Sequence, residues 1–201
     1  YIDEQWVLRG FNLDVQPGGQ FNVDGMGYSG GAGPGKPIKY DAGASYGGNG
    51  GRRTSDPSIP GPTYGSITAP TNLGSAAHKS GGGAILLTVT ATATVNGVLS
   101  ANGLDDPSNF AGGSGGSVYL RAGYLAGSGT IRANGSTANW PQGGGGRVAV
   151  VLTNSTDFGN IQFESLTGAG NMKGAGGTVY LQHAGQGPGQ GRLIVDWGNR
   201  V

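Results

Sequence analysis

Gly115–Gly135 reads GGSVYLRAGYLAGSGTIRANG, two short runs of alternating side chains separated and bounded by glycine. Gly82–Gly103, GGAILLTVTATATVNGVLSANG, has the same form and the same Ala-Asn-Gly ending. Alternation with a period of two is the pattern of a β-strand with one face buried. Four glycine-led runs fall into register: GGGAILLTV from Gly81, GGSVYLRAG from Gly115, GGRVAVVLT from Gly145 and GGTVYLQHA from Gly176. Ile85, Val118, Val148 and Val179 then become equivalent, at steps of 33, 30 and 31 residues. Each run is followed by a second strand, GVLSANG, GTIRANG, NIQFESLTG or GRLIVDWG, and WVLRGFNLDVQPGGQFNVDG from Trp6 repeats the two-part form.

Self-similarity at a fixed period is the mark of repeat architectures. The expectation is an all-β protein with no helix. It is a parallel β-helix (β-solenoid) of about five units near residues 6–25, 81–103, 115–135, 145–170 and 176–198, forming one domain over 1–201. Ile85/Leu87/Val89, Val118/Leu120, Val148/Val150/Leu152 and Val179/Leu181 are assigned to the core. Leu86/Thr88, Tyr119/Arg121, Ala149/Val151 and Tyr180/Gln182 take the outer face. Asp24, Asn102 and Asn134, each before a glycine, are placed at corners in left-handed backbone. The competing fold is antiparallel, because TVNGVL (Thr94–Leu99) also reads as a two-residue hairpin.

Composition narrows the function classes. Glycine supplies 45 of 201 residues, roughly three times the usual share, without the Gly-X-Y period of collagen. With 12 Lys and Arg against 11 Asp and Glu, the net charge of +1 does not suit nucleic-acid binding, which needs many phosphate-neutralising cations. There is no cysteine for a disulfide or thiolate site, and His78 and His183 are the only histidines. No apolar run reaches the length of a membrane span. The start at YIDEQW, with no signal peptide, is what a processed chain or an excised domain would show.

The glycine and strand phrases, together with GGNGG, YGS and GGGAILL upstream, resemble the glycine-rich β-helical repeats of large secreted or cell-surface bacterial proteins. These include adhesin-like proteins and modules attached to polysaccharide-degrading enzymes. The likeness covers most of residues 6–198. It implies an extracellular location and carries no catalytic residues over.

Residues 26–80 read as a long glycine- and tyrosine-rich loop inserted between the first two units. The loop holds Tyr28, Tyr40, Tyr46 and Tyr64, with Arg52 and Arg53 among five cations against Asp41 and Asp56. Tyrosine rings suit stacking on sugars, and cations suit carboxylated or sulfated ones. The same tyrosines could instead anchor the loop. Tyr119, Arg121, Tyr180 and Gln182 on the outer face, and Trp140 in NWPQGGGG, complete the candidate ligand-binding set. Trp6 and Trp197 are assigned to capping the ends.

A polysaccharide-binding or adhesion module is therefore expected, with extracellular polysaccharide or a cell-surface glycan as partner. The alternatives are a self-assembling subunit of a surface layer or filament, and a polysaccharide lyase or glycoside hydrolase. The last is less favoured. Asp105–Asp106 in GLDDPSN reads as a turn, and His183 near Tyr180 is a lone candidate base. GAGPGKP lacks the P-loop pattern. Calcium could sit at turns of such a fold, but the Gly-Gly-x-Gly-x-Asp repeat is absent, so no cofactor is expected. NGS at Asn134 and NST at Asn154 match glycosylation acceptors.

Overall fold

The computed structural model of the chain describes residues 5–39, 41–53, 57–105 and 110–195. Among these, the regular elements are eleven strands, and no helix is long and apolar enough to cross a membrane. They are β1 (Gln5–Gly10), β2 (Leu13–Val15), β3 (Gln20–Asn22), β4 (Ala84–Val95), β5 (Val98–Ser100), β6 (Ser117–Ala126), β7 (Thr130–Arg132), β8 (Arg147–Leu152), β9 (Gln162–Glu164), β10 (Thr178–Gln182) and β11 (Arg192–Ile194).

The strands form two sheets. A seven-stranded sheet runs β1-β4-β6-β8-β10-β11, with β2 also on β4; a four-stranded sheet runs β3-β5-β7-β9. Neighbours are parallel and in the register expected from the repeat: Ile85 pairs with Val118, Val118 with Val148, and Val148 with Val179. Only β11 is antiparallel, on β10. The core assignments hold. Ile85, Leu87, Val118, Leu120, Val148, Val150, Val179 and Leu181 are buried with Leu99 and Ile131 from the small sheet.

The parallel β-helix expectation is corrected. The chain builds two separate sheets, one of them mixed, rather than a closed coil. The backbone that would have joined them is glycine. It bonds both to the inserted segment and to the neighbouring glycine run: the N–H of Gly144 donates to Ala44 O in the first, and that of Gly82 to Ser114 O in the second, both within 3.0 Å. The hairpin alternative fails as well, because β4 and β5 lie in different sheets and Asn96–Gly97 passes the chain between them. Asp24, Asn102 and Asn134 are not left-handed; among the described residues Asp41, at φ 69°, is the one non-glycine there.

The described part of residues 26–80 forms no strand, yet much of it is buried. Ala42, Ala44, Ser45, Tyr46, Ser75 and Ala76 are fully buried. Their segments run among the glycine runs that precede β4, β6, β8 and β10, forming a layer made of backbone. Successive N–H groups of one run leave in different directions: Gly144 to Ala44 O, Gly145 to Ala175 O, Gly146 to Ala133 O and Arg147 to Gly116 O. A pleated strand bonds to two sides, whereas an extended chain with about three residues per turn bonds all round. Glycine is required because segments this close leave no room for a side chain. A Cβ on Gly143 would overlap Gly113 O, and one on Gly43 would overlap Gln142 O. Pairing of nearly every buried N–H makes such a layer tolerable away from water.

Candidate functional site

The sequence candidates part into three groups. The first is buried in the fold. Tyr46 is fully buried, and its hydroxyl donates to Ser117 Oγ at 2.7 Å, which in turn donates to Asn72 O. Tyr64 lies 4.6 Å from Tyr46 ring to ring and donates to Leu73 O at 2.6 Å. The Arg147 guanidinium, 5% exposed, reaches Tyr64 O and Thr178 Oγ1 and lies 5.4 Å from the Tyr46 ring centre. Burial pushes both phenols up, against the smaller opposing pull of their serine partners, and pushes Arg147 down. Tyr180 is also buried, its hydroxyl held between Gln182 Oε1 and the N–H of Gly191. The Tyr46 and Tyr180 rings are buried, and Tyr64 is half-buried with its hydroxyl engaged. Tyr28 is half-buried in the glycine layer, its backbone bonded to Gly74 and Gly81.

The second group stays on the outer face of the large sheet. Tyr119 is half-buried between Leu86 and Ala149 in register, and Arg121 is exposed beside Thr88 and Val151. Tyr119 and Tyr180 are two strands apart, as the repeat implied, but only the first is accessible.

The third group converges at one end of the glycine layer. Arg53 stacks on Trp140 at 4.3 Å and pairs with Asp41 at 3.5 Å. Asp41 lines an open cleft of about 590 Å³ with Lys36, Ile38 and His78 among its other walls. His78 in turn meets the Phe110 ring at 5.2 Å, and Lys79 sits 5.2 Å from the same ring. Two aromatic rings, each carrying a cation, thus stand behind the cleft wall, Trp140 through the Arg53–Asp41 pair and Phe110 through His78. The turn at Gly30 and Gly31, both at positive φ, forms part of that wall. Arg52 is exposed in the same segment. Lys36 is one of the five loop cations read from the sequence; His78 and Phe110 were not among the ligand-binding candidates, and nothing in their local sequence marks them.

Tyr40, Asp56, Asp106 and Trp197 lie outside the described residues, as does the side chain of Trp6. His183 sits in the turn after β10, where its Nδ1 accepts the N–H of Gly185 at 3.1 Å. Asp105 accepts the N–H of Thr137 at 2.6 Å. Among the described residues, no group of three or more His, Asp or Glu could hold a metal ion. Asn154 is exposed, whereas Asn134 is engaged through both its amide atoms.

Across known proteins, no family model, curated sequence or solved structure matches the chain at a significant level.

Proposed function

We propose that the protein is a polysaccharide-binding module of a secreted or cell-surface protein, and that it takes anionic glycans in the cleft of Lys36, Asp41 and His78. The observation that carries this is an open cleft whose lining residues Asp41 and His78 contact two cation-bearing ring pairs, Arg53 on Trp140 and Lys79 by Phe110. Rings give flat apolar area to a sugar face, and cations answer carboxylate or sulfate groups. Affinity electrophoresis in gels containing alginate, pectate or dextran sulfate tests it. The wild type is expected to be retarded in at least one gel, and added salt should weaken the effect. Lys36→Ala with His78→Ala should bind at least tenfold more weakly. Unchanged mobility of the wild type in every anionic gel would contradict the proposal.

A second reading, end-to-end self-association, is favoured by one end of the sheets. Among the described residues, β1 and β2 pair only with β4, leaving their other edge open. Leu8 and Phe11 are 43% and 73% exposed there. Open apolar edges are sites of strand addition. Sedimentation velocity over a wide concentration range decides: growth of large species supports it, and a constant monomer rejects it.

A further inference from the structure

A second cleft, of about 270 Å³, opens beside the small sheet, away from the residues used above. Three columns of residues, each spaced by 32 positions, run past it: Ser100/Arg132/Glu164, Asn102/Asn134/Leu166 and Asp105/Thr137/Ala169. They are tied from strand to strand. The N–H of Asn102 donates to Asp24 Oδ1 at 2.6 Å, that of Asn134 to Asn102 Oδ1 at 2.7 Å, and that of Leu166 to Asn134 Oδ1 at 2.8 Å. Asn134 Nδ2 donates to Glu164 at 2.8 Å, and Arg132 Nε to Ser100 Oγ at 3.0 Å. The amide and hydroxyl groups along this wall therefore recur at the strand spacing of about 4.8 Å.

We infer that this cleft is a binding site for a neutral, polyhydroxylated polymer, distinct from the anionic-glycan cleft. Its charges balance, Arg132 and Lys173 against Asp105 and Glu164, and no aromatic ring lines it. A ligand that both donates and accepts at short intervals, without net charge, matches that wall; hydroxyl groups along a neutral glycan do so. A second, independent observation points the same way. Gln142 is fully buried, and both its Oε1 and Nε2 lack a partner. Its Nε2 occupies the place a side chain on Gly170 would take, and Gly170 lines the cleft. A buried amide left wholly unpaired calls for an explanation. Here one residue without a side chain, Gly170, closes it off from the cleft, and a ligand hydroxyl or its water meets the amide once that backbone shifts.

Affinity electrophoresis with neutral galactomannan, xyloglucan and mixed-linkage β-glucan tests this apart from the anionic site. The wild type should be retarded in at least one neutral gel. Ala169→Trp, which fills the cleft from an exposed position, should weaken that retardation at least tenfold and leave mobility in alginate unchanged. Lys173→Ala should weaken it at least threefold. Gln142→Met should also weaken binding at least threefold without lowering the melting temperature, which a purely structural amide would not do. No retardation of the wild type in any neutral gel overturns the inference, as does wild-type retardation by both Ala169→Trp and Lys173→Ala. Loss of alginate binding alone would leave this site standing and remove the other.

Discussion

The molecule solves the burial problem in two ways within one chain. Between the sheets, Ile85, Leu120, Val148 and Ile131 fill space with side chains, and the stabilisation comes from apolar area withdrawn from water. In the glycine layer, Gly43, Gly113, Gly143 and Gly144 fill space with backbone, and the stabilisation comes from hydrogen bonds and close dispersion contacts. A side-chain core has rotamers that adjust when an atom is added or removed. A backbone core has none, so the second region should be the more brittle of the two.

The sharpest contrast is therefore Gly143→Ala. The added methyl meets Gly113 O and neighbouring backbone, with no flexible side chain to move aside. A loss of about 3 kcal/mol or more, the upper range for overpacking, is expected in chemical denaturation. Gly10→Ala is the matched control: it is exposed in β1, and its new methyl would lie 3.4 Å from Asn12 O, so the change should stay within about 0.5 kcal/mol. Equal effects at the two glycines would remove the distinction between the regions.

Leu120→Ala, in the fully buried row between Leu87 and Val150, should cost about 3 kcal/mol through lost transfer energy and the cavity left behind. That loss should fall short of the effect of Gly143→Ala, although more atoms change.

A smaller effect than that of Leu120→Ala lies where the regions meet. Tyr46→Phe removes the hydrogen bond to Ser117 and should cost about 1 kcal/mol. It should also blunt the alkaline sensitivity of the protein. Burial raises the Tyr46 phenol in the fold, so the neutral form is the one that fits. That contribution is complete below the unfolded value near pH 10 and is lost as pH rises through and beyond it. Urea midpoints measured from pH 8 to 11 should fall less steeply for the variant than for the wild type.

What the sequence disclosed follows the same division. The strands, their facing and their parallel register were legible because side chains of alternating polarity carry that information, as in Ile85 to Val89 and Val148 to Leu152. The glycine layer was not. A residue without a side chain has no polarity pattern, so GGNGG and GGGG read as loop although their N–H groups are bonded on all sides. The closed coil failed for that reason: the glycine runs between the sheets share their hydrogen bonds with Tyr28, Ala44 and Ser75, which lie in the segment read as an insertion. The candidate site followed. Arg53 and Trp140 were singled out separately, one for charge and one for its ring, and only the layer shows that they touch. The column through Asp24, Asn102 and Asn134 was visible as a repeated phrase, but it was assigned to backbone conformation rather than to the bonds its amides make between strands.

The central claim is that the glycine runs form an ordered backbone core rather than loops. Amide hydrogen exchange at Ala44, Gly82 and Gly144–Gly146 tests it most directly, since each N–H donates to another segment at 3.0 Å or less. The structure predicts that these amides exchange as slowly as those of Val118 and Val148 in the large sheet. Exchange at the rate of an unfolded peptide, with the sheet amides still protected, would contradict it.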